Sequence, residues 1–313
     1  MAAERRGADG RREDSPVTRP YRLNKVIGLI EDDSVAFGTF LRSGSIPDAV
    51  WVSTSPYDFV VFELEHDVFD LAGLRLSLQF LLDRRQIGDA AVAGQRGPGV
   101  VPFVRVPRNG RERDEWIIKQ VLDIGVYGIV FPMVNTPDDV RHILGAMRFP
   151  HAAGEDDREP AGHRGYSPEN AERYWGLSSA EYFDRADVWP HDPRGELLPI
   201  LQCETVEGVE NLDAICREVT APGLILISTG DLSVSMGYRG AYTPEVDGMV
   251  QRAVAVCREH GVRYGTPHMT ADNVEERVAG GFQFLMSGPR RDVSTLMRGL
   301  ERAGRAPAPL APG

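Results

Sequence analysis

The chain has 313 residues, 42% of them hydrophobic and 26% charged, a globular composition with length enough to bury one large core or two modest ones. Its 46 acidic residues outnumber 35 basic ones for a formal net charge of -11, which argues against a nucleic-acid partner, since those proteins need a basic footprint. The three cysteines, Cys203, Cys216 and Cys257, are widely spaced without a CxxC, so they suggest neither a disulfide framework nor a zinc knuckle and fit a reducing cytoplasm.

Residues 1–19 mix Arg, Asp, Glu and Gly without the apolar centre of a secretory signal, and they are expected to form a disordered leader. No apolar run reaches the roughly 18 residues that would suggest a membrane span. Eight short β-rich apolar runs follow, at 35–41, 59–65, 101–106, 128–134, 197–204, 223–229, 262–268 and 282–288, each succeeded by a plausible helix. After the third run, Trp116, Ile117, Val121 and Ile124 share one helical face, and Gly125 marks the stop. After the sixth, Thr243 reads as cap, Pro244 as first helical residue and Gly261 as stop. An open doubly wound sheet would also alternate in this way. Eight units within about 250 residues, and no GxGxxG after the first strand, favour an α/β fold of the (β/α)8 TIM-barrel type over residues 20–304.

Residues 148–196 break the rhythm, being too long for a plain connection. Their aromatic residues (Tyr166, Tyr174, Trp175, Tyr182, Phe183, Trp189) predict an ordered excursion with a short helix near 178–186, serving subunit contacts or covering an active site. Residues 305–313, where Pro and Ala alternate, are expected to be a flexible tail.

In such a barrel, catalytic groups sit at the C-terminal ends of strands. Those ends carry Glu63, Glu65 and His66; Arg105; Gln202 and Glu204; Ser228, Thr229, Gly230 and Asp231; and His268. Strand alternation sends Gln202 and Glu204 to one face and Cys203 to the other. Glu204 and Asp231 are one strand-helix unit apart, so they project from neighbouring strands spaced by about 4.8 Å and could clamp one hard divalent cation. The alternative is a carboxylate satisfied by hydrogen bonds or an arginine. Arg105 suits a developing oxyanion, or else simply pairs with Glu63. Gly230 offers backbone N–H groups to a substrate carboxylate, or only a tight turn. His66 is a candidate proton carrier, or a histidine satisfied by its acidic neighbours.

The stretches FVVFELEHD, VPFVRVP, IIKQVLDIGVYGIVFPMVNT, MRFP, RGYSP, LQCETVEGVENLDAI and STGDLSVSMGY stand in an order that resembles the HpcH/HpaI family of metal-dependent class II pyruvate aldolases over roughly residues 35–300. That resemblance implies cleavage of 4-hydroxy-2-oxo acids into pyruvate, or a close relative, and an aldehyde. It places metal ligands on Glu204 and Asp231, a catalytic histidine on His66, a catalytic arginine on Arg105 and a site glutamine on Gln202. It also puts a pyruvate-carboxylate cradle at Gly230 and Asp231, and a histidine-pairing aspartate on Asp123. Asp123 falls near the end of the third barrel helix, at the pole opposite the strand ends, so it is expected to act across a subunit interface. The implied cofactor is Mg²⁺ or Mn²⁺, with Co²⁺ admissible, and the implied assembly is a homo-oligomer, a hexamer.

Some positions depart from the family pattern. Glu63-Leu64-Glu65-His66 stands where Asp-Gly-Glu-His is usual, Ser228-Thr229-Gly230-Asp231 replaces a Gly-Pro-x-Asp turn, and Pro267-His268 and the excursion differ from the shorter aldolases. Two other readings stay open. A CoA-ester lyase of the citrate lyase β or malyl-CoA lyase type would need a basic surface for nucleotide phosphates, and a non-catalytic 2-oxo-acid-binding barrel would not enolise its ligand. Lys25 and Lys119 are the only lysines and neither ends a strand, which disfavours Schiff-base chemistry.

Overall fold

The computed structural model describes residues 21–92, 97–108, 113–152, 158–288 and 291–307. The expected leader, and residues 308–313 of the expected tail, lie outside the described residues. The first half runs α1 (Lys25–Glu31), β1 (Ala36–Arg42), α2 (Ile46–Ser53), β2 (Phe59–Glu63), α3 (Leu71–Leu81), α4 (Arg84–Val92), β3 (Val101–Arg105), α5 (Glu115–Ile124), β4 (Gly128–Phe131) and α6 (Pro137–Met147). The excursion contributes α7 (Glu169–Trp175) and α8 (Ser179–Arg185). The second half runs β5 (Leu198–Cys203), α9 (Val206–Glu218), β6 (Leu224–Ile227), α10 (Thr229–Ser235), α11 (Pro244–Glu259), β7 (Tyr264–Thr266), α12 (Val274–Ala279), β8 (Phe284–Ser287) and α13 (Ser294–Arg302).

The eight strands are parallel and pair in chain order, and β8 returns to β1 to close a (β/α)8 barrel. Period-two alternation sends every second side chain inward. Phe59, Phe103 and Phe284 meet there, with ring centroids 3.9 Å apart for Phe59 and Phe284 and 5.7 Å for Phe59 and Phe103. Gly38 on β1 makes room for this layer, since a Cβ there would lie 2.1 Å from the Phe59 ring. Two and four residues along the same inward rows come Phe40, Arg105 and Glu63, so an aromatic floor gives way to charge at the C-terminal mouth.

Several strands end earlier than their apolar runs, and β2 shows why. The Glu63 carboxylate accepts the backbone N–H groups of Glu65 (2.7 Å) and His66 (3.2 Å), drawing the chain out of the ladder before the expected end at residue 65. In α5 the buried face is Ile117, Ile118, Val121 and Leu122. Trp116, expected on that face, is half exposed and packs edge-on against Phe69 outside the barrel, while Ile124 is only partly buried. The stop at Gly125 is a left-handed residue with φ 115°. The caps Thr243 and Pro244 and the stop at Gly261 (φ 64°) also bound α11 as expected. A short helix that the sequence reading did not foresee, α10, precedes it.

The excursion is built on its aromatics. α8 opens with a reciprocal cap between Ser178 and Glu181, and Tyr182 is fully buried. Trp175, at the end of the unforeseen α7, stacks on Tyr127 at 4.3 Å and donates its indole N–H to Gly125 O at 2.9 Å. These anchors lie at the end of α5 and the start of β4, the pole opposite the mouth, so within its own barrel the excursion does not serve as the expected active-site cover. None of the described helices is long and apolar enough to cross a membrane.

That N-terminal pole is closed by α1 and held by paired charges. Asp58 binds both Nη groups of Arg305 (2.7 and 2.8 Å) and the Phe37 N–H (2.9 Å), with Lys25 at 3.5 Å. Burial pushes the Asp58 carboxyl up, but Arg305, Lys25 and the Phe37 amide together hold it below its ordinary value. Glu196 accepts the backbone N–H groups of Leu23 (3.2 Å) and Asn24 (2.9 Å) and pairs with Arg185, with Arg22 at 3.8 Å.

Candidate active site

The register Glu63↔Arg105 sets an acid beside a base on adjacent strands. Arg105 donates from Nε to both Glu63 oxygens (3.2 and 2.9 Å) and pairs again through Nη2, and its guanidinium lies 4.7 Å above the Phe40 ring. The pairing weighed as an alternative for Arg105 is therefore present, and it fixes the guanidinium at the mouth. Just beyond the strand, Glu65 Oε2 lies 3.2 Å from Arg105 Nε and 3.4 Å from His66 Nε2, yet has no hydrogen-bond partner among the described residues. The His66 side chain is 63% exposed.

Across the mouth, β5 carries Gln202 and, immediately after it, Glu204, both almost completely buried. One Glu204 oxygen accepts the Met133 N–H at 2.9 Å and the other the Gln202 amide, while Gln202 Oε1 has no partner among the described residues. Asp231 sits in the first turn of α10, directly after the neighbouring strand β6. Burial, then the nearby charges of Asp231 and Glu65, push the Glu204 carboxyl up to about 7 against the pull of its hydrogen bonds. Burial also pushes Glu65 up to about 7, with Arg105 opposing and Glu63 and Asp231 adding to the rise.

Three carboxylates thus share a recess with too few donors, and two buried oxygens there, on Glu65 and Gln202, lack partners. A divalent cation held by Glu204 and Asp231 would supply positive charge to this acidic cluster. An all-oxygen set suits a hard ion such as Mg²⁺ or Mn²⁺, so the residues present fit the metal expected at Glu204 and Asp231.

His268, two residues past β7, was named among the strand-end residues but given no role. Its Nε2 lies 3.3 Å from Ser228 Oγ and accepts the Gly230 N–H at 3.4 Å. Crowding by the barrel mouth lowers its pKa, only partly offset by Asp231, which keeps the ring neutral and able to accept. His66, Arg105, Gln202, Glu204, Gly230 and Asp231 therefore gather at one pole.

Asp123 does not join them within the chain. It lies in the last turn of α5 at the opposite pole and accepts a hydrogen bond from Arg164 at 2.7 Å. Burial raises its pKa, and Arg164 opposes the rise.

Residues 37–291 match the HpcH/HpaI aldolase/citrate lyase family. Among curated proteins the chain is 33% identical to a hydroxypyruvate/pyruvate aldolase of Pseudomonas aeruginosa, covering 87% of this chain and 94% of the relative. It is 29% identical to a 2-keto-3-deoxy-L-rhamnonate aldolase of Klebsiella pneumoniae, covering 83% and 85%. Among solved structures, an HpcH/HpaI aldolase/citrate lyase family protein from Burkholderia cenocepacia superposes with a TM-score of 0.67 at 24% identity, over 90% of this chain and 97% of that one, a likeness of fold. The chain belongs to the HpcH/HpaI aldolase/citrate lyase family and is an enzyme of the aldehyde-lyase kind.

Proposed function

We propose that the chain cleaves and forms 4-hydroxy-2-oxo acids, joining pyruvate or a related 2-oxo acid to an aldehyde with the help of a divalent metal. The observation that carries this reading is the under-compensated carboxylate cluster of Glu65, Glu204 and Asp231 facing a fixed arginine at the barrel mouth. Glu204 and Asp231 would hold Mg²⁺ or Mn²⁺. When bound, the ion would supply a Lewis acid that stabilises negative charge on the keto oxygen of the 2-oxo acid.

The chain's own groups do the rest. Arg105, held in place by Glu63 and Phe40, presents a permanent positive charge to oxygens that become negative as the carbon-carbon bond breaks. The Gly230 N–H, in the opening turn of α10, would exchange its long contact to His268 for the substrate carboxylate, with Gln202 orienting it from β5. His66, exposed at the mouth beside Glu65, would take the proton of the 4-hydroxyl group and return it in the condensation direction. Asp123 would orient the His66 of a neighbouring subunit, in a homo-oligomer that brings the N-terminal pole of one barrel near the mouth of the next.

Schiff-base chemistry has no donor at the mouth: Lys25 pairs with Asp58 at the far pole, and Lys119 lies on α5. Deuterium entry into the pyruvate methyl group, followed by NMR in chelator-treated protein with and without added Mn²⁺, tests the reading. Exchange that requires the metal supports it, whereas exchange absent under both conditions would leave only a binder.

A further inference from the structure

We propose that Glu115, His142 and His163 form a second metal site, on the outer wall of the barrel, that takes a zinc-class divalent ion and clasps the excursion to α5 and α6. Glu115 opens α5, His142 lies within α6, and His163 follows in the excursion, where its backbone N–H bonds Gly145 O at 2.9 Å. One ligand atom from each lies within 4.8 Å of the others. The separations are telling: His142 Nδ1 is 3.5 Å from one Glu115 oxygen, and His163 Nδ1 is 3.6 Å from the other. A charge-assisted hydrogen bond would close to about 2.8 Å. Ligands bound at 2.0–2.2 Å around a tetrahedral ion stand about 3.4 Å apart, close to the distance at which each imidazole stands from its own Glu115 oxygen.

Two further observations fit an ion. The His142 side chain is only 7% exposed, so packing holds its ring with Nδ1 toward Glu115 rather than free in solvent. Gly145 is one helical turn beyond His142, and a Cβ there would fall 2.8 Å from His163 Nε2, so the missing side chain is what admits the second ring against α6.

Two imidazoles and one carboxylate form a borderline donor set that prefers Zn²⁺ or Co²⁺ to Mg²⁺, the reverse of the all-oxygen mouth. A fourth position would be left to water. The residue after His163 is Arg164, which holds Asp123, so an ion here would fix that contact as well.

The test uses chelator-treated Glu204→Ala protein, so that metal at the mouth does not contribute to the reading. Zn²⁺ is titrated by calorimetry, and Co²⁺ by the visible absorption of its four-coordinate form. His163 and Glu115 are both largely exposed, so His163→Ala and Glu115→Ala in this background should remain folded, as circular dichroism can verify. Each should weaken Zn²⁺ binding about tenfold or more and abolish the Co²⁺ band. Absence of Zn²⁺ uptake by folded Glu204→Ala protein, or uptake unchanged in both double variants, would overturn the proposal.

Discussion

Asp58 and Glu196 at the N-terminal pole and Glu65 and Glu204 at the C-terminal mouth are buried carboxylates treated in opposite ways. At the N-terminal pole, Asp58 and Glu196 each receive arginine and backbone N–H donors, and Asp58 is held below its ordinary pKa. At the C-terminal mouth, Glu65 and Glu204 rise to about 7, and polar oxygens are left without partners. The chemical groups are the same, but one set completes its bonds within the fold and the other is completed only by something that binds. An unsatisfied buried acid costs stability, and a fold retains such a cost where a ligand repays it.

The largest effect expected is on activity at the mouth. Glu204→Ala or Asp231→Ala should remove several kcal/mol of transition-state stabilisation, roughly 10³-fold or more in metal-dependent cleavage, with the thermal midpoint unchanged or raised. Full activity of either variant, or of the wild type in excess chelator, would dissolve the contrast between the poles. Glu196→Ala is the mirror experiment. It removes the ion-pair partner of the part-buried Arg185 and the acceptor of two buried backbone N–H groups, and should cost about 3–5 kcal/mol in urea unfolding. A loss below about 1 kcal/mol would show that this pole is less tightly paired than its geometry suggests.

His66→Ala should lower turnover roughly 10²-fold with little change in KM. If Asp123 serves a neighbour's histidine, co-assembled His66→Ala and Asp123→Ala subunits should regain part of the activity that each variant lacks alone. No recovery in mixed oligomers would remove Asp123 from the chemistry.

The smallest effect is a slope. Glu65 and Glu204 have folded-state values near 7, above the unfolded value of about 4.3, so the native state binds more protons in that window. Stability of the metal-free protein should therefore fall as pH rises from about 4.5 to 7, and Glu204→Gln should flatten the decline. Asp58 acts in the opposite sense: its depressed folded value contributes stability above about pH 4 that is lost as pH falls further. Urea midpoints across this range measure both, and a profile that rises from pH 5 to 7 would contradict the first.

Much of this was legible locally. Thr243, Pro244 and Gly261 bounded α11 because capping and left-handed stops depend on a few adjacent residues. Trp116 was misplaced because a stripe of apolar residues does not say which edge of it meets the barrel, and the room beside Phe69 drew the indole outward. α7 escaped notice although Gly176, at φ 69°, marks its end. His268 was named at a strand end but given no role, because its partners Ser228 and Gly230 lie about forty residues earlier in the chain.

The sequence by itself determined the eight alternating units, the polar residues at the strand ends and the placement of its two lysines away from those ends. Each follows from periodicity or residue type, which neighbours along the chain supply. Only the tertiary structure decided which acids are compensated: Glu63 by Arg105, 42 residues distant, Asp58 by Arg305, and Glu65 by no complete set of donors. Burial and hydrogen-bond partners come from strands and helices remote in sequence, and so do the pKa shifts that separate a structural carboxylate from one poised to bind.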